Sequence, residues 1–113
     1  MRGDAKVTRY NLRFWFEHGG FCVWGMNDAA KRRFGYPIPN NKLPISASLI
    51  KELDSLEDEY GTYLDWAVPQ NPSTWSNEQK KDFMLRATKA YQRLQYELGG
   101  DFVISNEVHE SLV

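Results

Sequence analysis

A chain of 113 residues with 42 % hydrophobic content, four tryptophans, six tyrosines and six phenylalanines can bury one core and is too apolar for a disordered, low-complexity protein. Its 14 basic and 15 acidic residues leave a net charge of −1, which excludes a global field drawing in nucleic acid or an anionic membrane, so an electrostatic partner must read a local patch. Cys22 is the single cysteine, which excludes an internal disulfide. MRGDAKVTRY lacks an apolar leader, and no apolar run is long enough to span a bilayer, so a single compact domain over 1–113 with short flexible ends, in the cytoplasm, is the expectation. Arg2-Gly3-Asp4 matches an integrin-recognition tripeptide, but three residues recur by chance and a cytoplasmic chain would never meet integrin.

The first element is RYNLRFWFEHGGFCVWG, Arg9 to Gly25, two aromatic-rich runs joined by a glycine pair. Gly-Gly between alternating runs predicts a two-residue hairpin loop, because both central positions of a type I′ turn need positive φ. With Gly19 and Gly20 as the loop, His18 faces Phe21, Glu17 faces Cys22, Phe16 faces Val23 and Trp15 faces Trp24. Parity then places Leu12, Phe14, Phe16, Phe21 and Val23 on one face and Arg13, Trp15, Glu17, Cys22 and Trp24 on the other. The second face is mixed. Its two tryptophans are either covered locally, a cross-strand pair that pins the register, or exposed beside Arg13 as anchors for a partner, since Trp, Tyr and Arg dominate binding hot spots.

Asn27-Asp28 before AAKRRF and Gly35 predicts a short helix with an N-cap, a basic last turn and a glycine stop. YPIPNNKLP, Tyr36 to Pro44, is an irregular connector. A second helix opens at Ser46 and runs through Tyr60, because Leu49, Leu53, Leu56 and Tyr60 recur at spacings of four and three. Leu64-Asp65-Trp66 leads into AVPQNPST, where the prolines turn the chain back. Ser76 with Gln79 forms a capping box for a third helix, whose apolar stripe is Phe83, Ala87, Ala90, Tyr91, Leu94 and Leu98 and whose stop is Gly99-Gly100. Asp101 to His109 alternates and predicts a third strand joining the hairpin edge, with a frayed far end. The order β-β-α-α-α-β gives an α+β domain, a small antiparallel sheet packed on two main helices.

Catalytic residue types are few. Cys22 and His18 are close in sequence, yet parity separates them across the sheet. His109 lies near the C-terminus, where it reaches Cys22 only if the third strand pairs suitably. Two histidines and one cysteine lack metal-ligand spacing, and no GxGxxG, P-loop or GxSxG occurs, so neither an enzyme, a metal site nor a cofactor is indicated.

The charged clusters say more. Glu52, Asp54, Glu57, Asp58 and Glu59 crowd the second helix with Lys51 as its only base. Asp54 and Asp58, one turn apart, cost an isolated helix about 0.2–0.5 kcal/mol, and the acids nearest Tyr60 oppose the helix dipole. Such acids form a solvated face, are compensated by Arg86, Lys89 and Arg93 of the third helix, or meet a basic partner and steer its approach. Arg9, Arg13, Lys31, Arg32 and Arg33 beside Trp15 and Trp24 offer the opposite reading, a stacking platform for single-stranded nucleic acid, although no RNA-binding signature accompanies them.

The YNLRFWFEHGGFCVWG hairpin, the proline-rich connector, LIKELDSLEDEY, LDW and the helix ending in YELGGDF together resemble small bacterial immunity proteins of toxin and immunity pairs, as in contact-dependent or polymorphic toxin systems. The resemblance covers most of the chain. It implies a protein that binds a cognate toxin domain, often a nuclease, and blocks its active site or substrate groove, without membrane or cofactor. Glu52, Asp54, Glu57, Asp58 and Glu59, with Arg13, Trp15 and Trp24, are the residues expected to make that contact, the acids standing in for phosphates if the toxin is a nuclease.

Overall fold

The computed structural model describes residues 9–64, 67 and 73–112. Arg2-Gly3-Asp4, Asp65-Trp66 and most of the AVPQNPST stretch lie outside the described residues. The elements are β1 (Tyr10–Phe14), β2 (Val23–Gly25), α1 (Asp28–Phe34), a 3-10 turn (Asn40–Lys42), α2 (Ala47–Tyr60), α3 (Asn77–Leu98), β3 (Phe102–Asn106) and a second 3-10 turn (Val108–Leu112). This is the α+β order read from the sequence. Among the described residues no helix is long and apolar enough to cross a membrane.

The helices begin and end where local chemistry asks. Asn27 accepts the Ala30 N–H, Ser46 accepts the Leu49 N–H, and Ser76 with Gln79 closes a reciprocal capping box. Gly35 and Gly99 stop α1 and α3 with φ of 104° and 84°, a region that any side chain makes costly.

The hairpin is real but its register is two residues off the two-residue loop. Phe14 pairs with Val23, Arg13 with Trp24 and Leu12 with Gly25, and the Trp15 N–H donates to the Cys22 carbonyl at 2.9 Å. A shift of two preserves parity, so Leu12, Phe14 and Val23 still share one face. Only Gly20 takes positive φ, and the turn is held instead by Glu17, whose carboxylate accepts the Gly19 N–H at 2.8 Å. Packing decides the outcome. Phe16 leaves the ladder to sit between Tyr60 and Phe83, with ring centroids at 5.8 and 5.0 Å, and it is 1 % exposed. Burying that ring is worth about 2–3 kcal/mol, more than the cross-strand pairs that the tighter hairpin would add.

The three strands are ordered β2-β1-β3, and β3 runs parallel to β1, Tyr10 beside Phe102 through Phe14 beside Asn106. The sheet is therefore mixed, not antiparallel throughout. A parallel neighbour needs a long crossover, and the three helices between β2 and β3 supply it. The strand stops at Asn106, and the chain continues as a turn with Val108 fully buried, where Ser111 accepts the Phe16 N–H at 2.9 Å and its carbonyl accepts the Tyr60 hydroxyl at 2.6 Å.

One face of the sheet, carrying Leu12, Phe14, Phe102 and Ile104, packs under α3 and α1, through Tyr91 against Phe14 and Phe34 against Tyr10 and Phe102. The α2 stripe of Leu49, Leu53, Leu56 and Tyr60 is buried beside the α3 stripe of Phe83, Ala87, Ala90 and Leu94. An antiparallel bridge between Trp24 and Pro37, with hydrogen bonds from Gly25 to Tyr36 and from Ile38 to Val23, lays the connector along β2. Gly25 permits that approach, because a Cβ there would stand 2.6 Å from the Gly35 carbonyl oxygen.

Candidate partner-binding site

At 100° per residue, the buried stripe of α2 divides its acids into two flanks. Glu52 and Glu59, seven apart, lie on one side of the stripe, Asp54 and Glu57 lie on the other, and Asp58 stands next to them on the exposed back of the helix. Glu52 and Glu59 turn toward α3. Arg86 grips Glu59 with both terminal nitrogens, Nη1 at 2.8 Å, and also holds Asp82 of its own helix. Those carboxylates, the Glu59 hydrogen bond foremost, hold the guanidinium still further in its charged form. Arg93 reaches Glu52 at 3.4 Å and Glu97 at 3.0 Å. Glu97 in turn accepts the Ser46 N–H at 2.6 Å, tying the N-cap of α2 to α3. The compensation expected of the third helix thus operates through Arg86 and Arg93, but not through exposed Lys89.

The second flank has no such counter-charge. Among the described residues, Asp54, Glu57 and Asp58 make no ion pair. Asp58 is exposed, while Asp54 and Glu57 are held instead by Asn40, a 5 % exposed residue of the connector. Its amide donates to Asp54 at 2.9 Å and to Glu57 at 3.1 Å, while its oxygen accepts the Cys22 thiol at 3.8 Å. Burial pushes the Glu57 carboxyl up to about 7, against the thiol and amide hydrogen bonds that favour its charged form, and the Asp54 and Asp58 charges push the same way as burial. Asn40, Asp54 and Glu57 line a cleft of about 240 Å³ together with Gly20 and Phe21 of the hairpin loop. Carboxylates and an aromatic ring lining one small cleft are the chemistry that receives a lysine or arginine side chain.

Phe21 corrects the face assignment. It is half-buried against Trp24, with centroids 6.1 Å apart, because the longer loop carries it out of the core face. Cys22 is corrected in the other direction. It is fully buried beneath Asn40 and Glu57, and desolvation raises its thiol well above the ordinary range. Such a thiol is protonated and inert as a nucleophile.

The tryptophans divide between the two readings left open. Trp24 is 8 % exposed, packed by Trp15, Phe21 and Tyr36, and its indole donates to the Trp15 carbonyl at 2.9 Å. It is a covered residue that fixes the connector. Trp15 is half-buried, with the Arg13 guanidinium stacked 4.2 Å from its ring, and that guanidinium is itself held by Glu107 at 2.8 Å. Other basic residues near this sheet are similarly engaged. Arg33 lies over Tyr10 and Phe34 and donates to the Tyr10 hydroxyl, and Lys31 lies over Tyr36. A phosphate-tracking stripe would leave such groups free in a groove.

The catalytic residue types do not converge. His18 stacks on Tyr60 with centroids 4.6 Å apart, and burial lowers its affinity for a proton. His109 has 69 % of its side chain exposed beside Glu110, whereas Cys22 has none. Among the described residues no cluster of His, Cys, Asp or Glu could hold a metal ion.

The acidic run of α2 is evident in the sequence, whereas the place of Asn40 and Phe21 beside its acids is not. Asn40 sits in a stretch whose prolines announce only irregularity, and its partners lie 14 and 17 residues away, beyond any local periodicity. The flank division was within reach, because a spacing of seven for Glu52 and Glu59 places both on one side of the apolar stripe. A family model described as Serratia CdiI immunity protein-like matches residues 10–106, from the first residue of β1 to the last of β3. No curated protein matches the chain.

Proposed function

The chain belongs to the Serratia CdiI immunity protein-like family, and from that premise we propose that it neutralises a cognate toxin domain by docking the open flank of α2 against it. Immunity implies a toxin protein as partner. The finer reading is that Asp54, Glu57 and Asp58 meet a basic surface lining the toxin's active site or substrate groove, and that the Phe21 cleft receives one of its cationic side chains. A nuclease is the toxin class that such acids suit, since its groove must attract phosphates and carboxylates can occupy the same positions. Trp15 with Arg13 extends the contact as a half-buried aromatic edge, while Trp24 supports it from beneath.

One observation carries this reading: three acids stay uncompensated on a helix whose other two acids are neutralised by arginines 2.8 and 3.4 Å away. Crowded carboxylates lower stability, so three acids kept without a counter-charge support a task other than folding.

Co-expression with a cognate toxin domain provides the test. The chain should restore growth and co-elute with the toxin, and Asp54→Lys with Asp58→Lys should abolish both while leaving circular dichroism unchanged. Protection that persists in the double variant would remove the acidic flank from the contact. Salt-sensitive binding of a single-stranded oligonucleotide by the free protein, lost on Arg13→Ala, would favour a nucleic-acid-binding module instead.

A further inference from the structure

A second surface lies apart from α2, along the outer side of α3. Lys80, Lys81, Met84, Leu85, Thr88 and Leu112 line a groove of about 430 Å³ between this helix and the C-terminal turn. Its floor is apolar. Leu85 is 57 % exposed in the middle of a regular helix, with half-buried Met84 and Leu112 beside it. Met84 and Leu112 pack in part against the core, but Leu85 does not, because the buried stripe of α3 passes through Phe83, Ala87, Ala90 and Leu94.

The rim has a sign. Lys80 and Lys81 stand within the first two turns of α3, at the positive end of its dipole, where lysine is disfavoured. Arg86 and Arg93 of the same helix are neutralised by carboxylates of this chain, whereas Lys80 and Lys81 make no ion pair among the described residues. Lys80 lies over the Tyr63 ring at 5.8 Å, and Lys81 is exposed. The nearby carboxylate of Asp82 is already held by Arg86 at 2.8 Å. The groove therefore presents an apolar floor under uncompensated positive charge.

We propose that this groove docks an acidic amphipathic segment of a protein partner, with an apolar side chain seated on Met84, Leu85 and Leu112 and flanking carboxylates reaching Lys80 and Lys81. Charge complementarity and the helix-in-groove mode give the occupant its character. A second copy of this chain is the competing occupant, which self-association in sedimentation equilibrium would reveal. The assignment is independent of the α2 reading, with which it shares no residue.

A designed helical peptide with leucines at helical spacing and glutamates elsewhere serves as the probe, titrated into the full chain and followed by methyl and amide NMR. Saturable shifts should centre on Met84, Leu85, Thr88 and Leu112. Binding should weaken by about tenfold or more in Lys81→Glu and in Leu85→Ser. The same peptide with lysine for glutamate should not bind the natural chain but should bind Lys80→Glu/Lys81→Glu, a reversal that damage to the fold cannot produce. Absence of saturable shifts at these residues overturns the proposal, as does equal binding of the glutamate and lysine peptides. Lys81-dependent binding to phosphatidylglycerol vesicles without peptide binding, or Leu85-dependent self-association in sedimentation equilibrium, would also overturn it in favour of a lipid or a second copy.

Discussion

The two flanks of α2 carry the same chemical groups and do different work. Glu52 and Glu59 face α3 and are neutralised by Arg93 and Arg86, so they belong to the helix pair. Asp54 and Glu57 line a cleft and accept from a buried amide, Asp58 is exposed nearby, and among the described residues none of the three pairs with a cation. An acidic run in a sequence is thus not one feature. Which acids remain available to a partner depends on what the neighbouring helix supplies, and here it supplies two arginines to one side only.

Three substitutions probe this contrast. The largest effect on stability is expected at Asn40, since Asn40→Ala leaves two carboxylates and a thiol without their shared partner. It should cost about 2–3 kcal/mol, because hydrogen bonds to charged groups lie near the top of their range. Chemical denaturation checks this, and a loss below about 0.5 kcal/mol would show that the open flank needs no organiser.

Glu57 comes next and shows a pH dependence. Its carboxyl is raised from an ordinary 4.5 to about 7, chiefly by burial, so between those values the folded chain holds a proton that the unfolded chain has released. Stability contributed by the protonated form is then present below pH 4.5 and is lost as pH rises toward 7. Allowing for partial solvation, the loss is about 1–2 kcal/mol. Glu57→Gln keeps the shape and removes the titration. The variant should match the natural chain near pH 4.5, exceed it by about that amount at pH 8, and bind the toxin more weakly. Thermal unfolding across this range would show parallel curves if Glu57 were not responsible.

The smallest effect belongs to the compensated flank. Arg86 and Glu59 are both more than a third exposed, so Glu59→Gln should cost less than about 1 kcal/mol, and less still at high salt. Toxin neutralisation should survive it.

How much of this was legible in the sequence depends on the range of the interaction concerned. The caps at Asn27, Ser46 and Ser76, the glycine stops and the apolar stripes of α2 and α3 are local, and they are found where the residues place them. The hairpin register is not local. Gly19-Gly20 favours a tight loop, but the rings of Tyr60 and Phe83 draw Phe16 out of the ladder, and neither ring is visible from the hairpin. The parallel direction of β3 likewise follows from the helical crossover rather than from its own alternation. The acidic helix was evident as charge. Its division into two flanks needed the positions of Arg86, Arg93 and Asn40.

Isothermal titration of the cognate toxin domain against three forms of the chain tests the central claim most directly: the natural protein, Asp54→Asn/Asp58→Asn, and Glu52→Gln/Glu59→Gln. The first pair should weaken the complex by about tenfold or more, while the second should leave affinity within about twofold and lower stability only slightly. Equal losses in both pairs, or a larger loss in the Glu52 and Glu59 pair, would contradict that claim.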